Sequence, residues 1–230
     1  MLHINNYNDD LLKEINLSLK PHQNLTILGS NGAGKSTLAK LICGIIPSEN
    51  ITLKGKKFSS LKAEERTQLI NYIPPKLEIF DEYITLEAYL NLSQLYTHLE
   101  PKNILKLLEI EHLKDKPTHT LSSGEEQLAM IATAVLHNAQ ITIFDEPTAN
   151  LDPQKSQEVF YLLKSKLLQS RIIITHDLNL AYHLGYDILY LKNGEIDFHD
   201  SSESFFNEYT LHHFFGSSVK IVDNFIVGNL

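Results

Sequence analysis

Residues 29–36 read Gly-Ser-Asn-Gly-Ala-Gly-Lys-Ser, and no other stretch limits the possible folds so tightly. The pattern G-x-x-x-x-G-K-[ST] lies between a short apolar segment, residues 25–28, and a helix candidate. Gly29, Gly32 and Gly34 let the backbone turn sharply and aim successive N–H groups inward. The following helix directs its positive dipole end at the same point. The result is an anion cradle at a strand-to-helix turn. Lys35 can reach β- and γ-phosphates, and the Ser36 hydroxyl can ligate Mg2+.

The rest of the chain supplies a matching scaffold. Residues 14–19 and 25–28 read as strands separated by the turn signal Pro21-His22-Gln23-Asn24. From Thr85 to about Lys116 the periodicity becomes helical, with Leu86, Tyr89, Leu90, Tyr96, Ile104, Leu107 and Leu108 on the pattern. This predicts a helical insert at about 76–120 within a single domain, 1–230. Two apolar strand candidates (141–144 and 172–175) flank a helix opened by Pro153, an alternation that implies a parallel sheet wrapped by helices. Residues 188–191, Asn193-Gly194 and residues 196–198 predict a hairpin with a type I′ turn. His212-His213 beside Phe214-Phe215 read as part of an amphipathic terminal helix, not a metal site.

Charge and composition remove several classes. Asp and Glu number 28 against 20 Lys and Arg, a net charge of −8, so a basic nucleic-acid face is not expected. The first residues lack the basic and apolar regions of a signal peptide, and no apolar run is long enough to span a membrane. One cysteine, Cys43, fits a reducing compartment and reads as a small apolar side chain in a helix.

Two further motifs carry chemistry. Residues 141–146 form an apolar strand ending in Asp145 and Glu146, at the carboxyl edge where ligands of parallel sheets bind. Asp145 can hold Mg2+ directly or through water, and Glu146 can polarise a water for in-line attack on a γ-phosphate. Leu121-Ser122-Ser123-Gly124-Glu125 precedes a helix predicted from residue 126 to about 137. Its serine and helix N-terminus form either a second phosphate-binding end or an ordinary capping box made by Ser122 and Glu125.

Taken in order, these motifs resemble the ATP-binding cassette (ABC) ATPases over nearly the whole chain. Residues 29–36 match the Walker A loop, 141–146 the Walker B strand and 121–125 the signature. Ala149-Asn150-Leu151-Asp152 resembles the D-loop, and His176 the switch histidine. The resemblance implies an α/β fold: a P-loop NTPase (RecA-like) core, an N-terminal antiparallel β subdomain and the helical insert. It assigns ATP binding to Gly29, Ser30, Asn31, Gly32, Ala33, Gly34, Lys35, Ser36 and Thr37. Tyr7, 28 residues before Lys35, occupies the place of an adenine-stacking aromatic, with an ordinary strand aromatic as the competing reading. Glu146, His176 and Lys35 are implied as catalytic, and Ser36 and Asp145 as Mg2+ ligands. His176 as a buried neutral histidine is the alternative.

The family implication is a head-to-tail homodimer closing over two ATP molecules, with Leu121, Ser122, Ser123, Gly124 and Glu125 of one copy completing the site of the other and Asp152 at the seam. A separate membrane permease follows, with residues 76–92, including Phe80, Tyr83 and Tyr89, as its docking stretch; each aromatic taken singly also reads as core. A substrate-binding protein is a further expected component, and the location is the cytoplasmic face of the cell membrane. The run of residues 60–66 leading into Tyr72-Ile73-Pro74 resembles the iron-chelate and cobalamin importer branch.

Two motifs depart from the family pattern. Pro75 stands where glutamine is usual and offers no amide oxygen, while Ser123 and Glu125 replace a glycine and a glutamine in the signature. The main expectation is an ATP-hydrolysing importer subunit for an iron chelate. The departures favour a second reading, an ATP-gated dimerising module with little turnover. A soluble cassette acting on DNA or ribosomes fits poorly with the acidic balance.

Overall fold

A computed structural model describes residues 2–76, 83–149 and 151–228 of the 230-residue chain. The chain opens with β1 (Leu2–Tyr7), β2 (Ile15–Leu19) and β3 (Leu25–Leu28), followed by the glycine-rich loop and α1 (Lys35–Ile42). Next come β4 (Ile51–Leu53), β5 (Lys56–Lys57), α2 (Ala63–Leu69) and β6 (Ile70–Ile73). The middle of the chain is helical: α3 (Leu86–Leu92), α4 (Pro101–Leu107), two single 3-10 turns and α5 (Ser123–His137). Alternation resumes with β7 (Ile141–Asp145), α6 (Pro153–Lys164), β8 (Ser170–Ile174), α7 (Leu178–Leu184), β9 (Asp187–Lys192) and β10 (Glu195–Asp200). The described chain ends in α8 (Ser202–Phe205), α9 (Glu208–Phe215) and the hairpin β11 (Val219–Val222) and β12 (Phe225–Gly228).

Six strands form the central sheet in the order β10-β9-β3-β8-β7-β6, parallel except for β10 at the edge. Every residue of β3, β7 and β8 is buried, as expected for strands covered on both faces. A second, antiparallel sheet, β2-β1-β4-β5, packs its Leu and Ile side chains with α1 and one face of the central sheet. Helices α3, α4, α5 and α6 cover the other face. Their apolar spacing explains the insert: Leu86, Leu90, Ile104 and Leu108 are buried, although Leu107, on the same sequence pattern, is 53% exposed.

Some boundaries move. The strand expected at 172–175 runs from Ser170 to Ile174, since Ser170 and Arg171 pair with Ile141 and Thr142. The buried Arg171 guanidinium donates to the carbonyls of Leu168 and Ser165, which makes a charged residue tolerable in a covered strand. Helix α5 starts at Ser123 instead of residue 126 because Ser122 caps it. Asn193 and Gly194 have φ of 51° and 83°, the type I′ turn expected from their sequence. That turn props the glycine-rich loop: Gly194 N–H donates to the Ala33 carbonyl at 3.2 Å.

Candidate active site

The carboxyl ends of β3, β8, β7 and β6 deliver the loop 29–34, the segment Thr175-His176, the pair Asp145-Glu146 and the segment Pro74-Pro75 to one edge of the sheet. A cleft of about 310 Å3 there is lined by Asn31, Gly32, Gly34, Lys35, Ser36, Thr37, Pro75, Asp145, Glu146 and Leu11. Gly29 has φ 153°, and a Cβ there would collide with the Leu191 carbonyl oxygen, so only glycine fits where the loop leaves β3. Lys35 is 8% exposed, and its Nζ donates to the carbonyls of Gly29 at 2.8 Å and Ser30 at 3.0 Å. Burial lowers its pKa, opposed by the nearby carboxylates of Glu146 and Asp145. An ammonium has three donors, so one remains for a phosphate oxygen.

Asp145 is 3% exposed, and its Oδ2 accepts the Tyr72 hydroxyl at 2.9 Å. Glu146 takes a left-handed backbone conformation, φ 53°, as soon as β7 ends. This costs a non-glycine residue about 1–3 kcal/mol and turns the side chain out of the ladder direction. Its Oε1 lies 2.8 Å from His176 Nδ1, and its Oε2 accepts the Thr175 hydroxyl at 3.3 Å. Thr175 is fully buried, and its Oγ1 also accepts the Asp177 N–H at 3.0 Å. His176 is not the buried neutral histidine of the alternative reading: its side chain is 70% exposed. The sequence marks Thr175 only as the end of a strand candidate and Tyr72 only as part of a branch-like run, neither as a site residue.

For magnesium, the protein donors are the exposed Ser36 hydroxyl and the buried Asp145 carboxylate, both bordering the cleft. No cluster of three or more His, Cys, Asp or Glu capable of holding a metal occurs among the described residues. A two-donor hard-oxygen site suits an ion that keeps waters and shares the substrate's phosphates, as Mg2+ does.

The remaining expected residues lie apart from this cleft. Ser122 Oγ accepts the Glu125 N–H at 3.4 Å, and Glu125 Oε2 accepts the Ser122 N–H at 2.6 Å, a complete capping box. Lys116 Nζ also reaches Glu125 Oε2 at 2.8 Å, so the extra negative charge of this signature is neutralised within the chain. Burial pushes the Glu125 carboxyl up, but Lys116 and the Ser122 N–H outweigh it and hold it below the usual range. Leu121 is buried, whereas Ser122 and Ser123 are exposed and Gly124 partly so. Asp152 caps α6 through the Lys155 N–H at 2.9 Å. Asn150 and Phe80 lie outside the described residues, and Tyr83 is 87% exposed.

Tyr7 departs from the adenine-stacking expectation. It is 8% exposed within the core cluster, and its hydroxyl donates to Asp9 at 2.9 Å. Burial and the Asp9 hydrogen bond push that hydroxyl up to about 12. A ring buried in the core offers no platform for a base; the apolar groups bordering the cleft are Leu11, 42% exposed, and Pro75.

A sequence model of the ABC transporter family matches residues 12–149. Zinc import ATP-binding protein ZnuC 1 of Aliivibrio fischeri is 30% identical over 80% of this chain and 70% of its own length. An ABC transporter ATP-binding protein of Clostridium tetani is 32% identical over 81% of this chain, which spans 44% of that longer protein. Among solved structures, cbiO1 of Clostridium perfringens, part of the ABC transporter complex cbiONQ, superposes with TM-score 0.75 at 28% identity, covering 93% of each chain. A dimeric ATP-binding cassette in a post-hydrolysis state with ADP and phosphate gives TM-score 0.74 at 25% identity over 88% of this chain and 99% of its own.

Proposed function

This chain belongs to the ABC transporter family of ATP-binding, ATP-hydrolysing subunits, and from that premise we propose that it powers import of a metal ion or metal complex through a separate membrane permease. The observation that carries the catalytic part is Glu146, held between Thr175 and His176 beside the Lys35 cradle.

The chemistry follows from positions and charge. The loop N–H groups and the start of α1 bind the β- and γ-phosphates, and the third Lys35 donor turns to a γ-phosphate oxygen. Ser36 and Asp145 would hold Mg2+, which when bound neutralises charge on the β- and γ-phosphate oxygens. Glu146 accepts a proton as water attacks the γ-phosphorus; the bond to the bridging oxygen breaks, and ADP leaves. His176 orients Glu146 through Nδ1 and leaves its other ring nitrogen for the γ-phosphate. Such catalysis is positioning plus electrostatics, with little covalent work for the protein.

Ser122 and the α5 N-terminus do not line the cleft of their own chain, which supports completion of the site by a second copy lying head-to-tail. The dimeric cassette among the similar structures supports pairing of two copies. No helix among the described residues is long and apolar enough to cross a membrane. The neighbour that is part of the transporter complex cbiONQ supports a cargo path in a separate permease, with this subunit peripheral on the cytoplasmic face. A groove of about 740 Å3 between the central sheet and the helical insert, lined by Tyr72, Pro74, Pro75, Tyr89, Leu92 and Leu95 among others, is the proposed permease seat. Leu92 and Leu95 are 70% and 52% exposed there, an apolar patch suited to a partner. The zinc-import relative supports a metal cargo; the iron chelate expected from the sequence is one member of that class.

Sedimentation of Glu146→Gln with ATP and Mg2+ tests the reading. A stable dimer, with monomer for Lys35→Ala, supports it; monomer throughout contradicts it.

A further inference from the structure

Residues 74 and 75 are both proline, so neither of these two positions offers a side-chain donor or acceptor to the metal side of the site. Yet Asp145 does not stand alone. Tyr72, three residues before Pro75, pairs in parallel register with Ile143, and its hydroxyl reaches along β7 to Asp145 Oδ2 at 2.9 Å. The phenol O–H is the donor in this bond, because a carboxylate can only accept. The nucleotide cleft and the large groove share Ser36, Pro75 and Asp145, and Tyr72 lines the groove.

We propose that Tyr72 is a positioning residue that fixes Asp145 for magnesium by occupying one carboxylate oxygen, and that this bond is the polar link between the metal side and the Pro74-Pro75 wall of the groove. The proposal rests on the nucleotide-binding reading above. Its physical basis is orientation: with Oδ2 held by the phenol at 2.9 Å, the carboxylate is kept from turning and Oδ1 is left for the metal, whereas without the phenol the carboxylate is free to rotate.

The test is a Mg2+ titration of the purified full chain with a fluorescent ATP analogue, beside melting of the nucleotide-free protein. Tyr72→Phe is expected to raise the Mg2+ midpoint about tenfold, in the range typical for loss of a group that orients a metal ligand. Tyr186→Phe is the comparison, because it deletes a hydroxyl bonded to the Leu163 carbonyl at 2.7 Å, remote from the cleft, and should leave the midpoint in place. In an Asp145→Asn background Tyr72→Phe should add no further shift, since the hydroxyl acts through that carboxylate. An unchanged midpoint in Tyr72→Phe, an equal shift in Tyr186→Phe, or a full additional shift on Asp145→Asn overturns the proposal. If the unaltered chain binds the analogue with no Mg2+ dependence, the nucleotide reading beneath it fails instead.

Discussion

Replacing Thr175 by valine removes one hydroxyl from a fully buried position while keeping its shape. That hydroxyl donates to Glu146 Oε2 at 3.3 Å and accepts the Asp177 N–H at 3.0 Å. Hydrogen bonds to charged groups contribute about 1.5–3 kcal/mol. At 3.3 Å this one is long for a hydroxyl-to-carboxylate contact, so the low end, about 1.5 kcal/mol, applies. If that energy holds Glu146 in its productive orientation, kcat for ATP falls about tenfold. The stranded Asp177 N–H, at the cap of α7, adds about 1–2 kcal/mol of lost stability, or a few degrees in Tm for a chain of this size. Phosphate release at saturating ATP and a thermal melt read the two effects separately. Thr175→Ser keeps the hydroxyl and should retain most of the turnover. A Thr175→Val protein that melts early but hydrolyses ATP at the unaltered rate would show that Glu146 needs no such anchor.

Lys116→Ala should cost about 1 kcal/mol at neutral pH, seen in urea unfolding, because Glu125 keeps only its capping-box partner. Glu125 has a lowered folded pKa, so its contribution is present above its unfolded pKa of about 4.3 and lost as pH falls through the folded value; the gap between variant and parent should close in acid. A gap unchanged at pH 3 contradicts that assignment. Asn179→Ala removes both side-chain bonds to Ile226, of 2.9 and 2.8 Å, and amide exchange at Ile226 should accelerate at least tenfold while β3 stays protected. Gly29→Ala forces a Cβ into the Leu191 carbonyl and should abolish nucleotide binding or folding, checked by calorimetry and circular dichroism.

Much of the architecture was legible because local chemistry and tertiary role coincide. The strand at Leu25–Leu28 is apolar except for Thr26, the glycines after it have one use, and Pro153 opens α6 where proline is tolerated. The start of β8 was missed because Ser170 and Arg171 look unlike a covered strand; the carbonyls of Ser165 and Leu168 and the distant Asn24 side chain make Arg171 acceptable there. The hairpin β11–β12 was not read at all, although Asp223-Asn224 stands between two apolar runs and both residues take the left-handed conformation of its turn.

The site divides in the same way. Lys35, Ser36, Asp145 and Glu146 belong to short motifs whose spacing brings each pair together. Tyr72 and Asp145 meet only through the pairing of two strands separated by the helical insert, and Lys116 meets Glu125 only through the turn at Thr118–Thr120. No local pattern encodes those distances. Tyr7 shows the reverse: its spacing from Lys35 suggested a ligand contact, but the bulge between Ile4 and Tyr7 leaves it inside the core.

Glu146 as the base that turns bound ATP into ADP and phosphate is the claim on which the others depend. Single-turnover phosphate release with excess protein, ATP and Mg2+ reads it directly. The unaltered chain should release phosphate at least about a hundredfold faster than Glu146→Gln, whose nucleotide affinity should be undiminished. Equal rates in the two proteins would contradict the account.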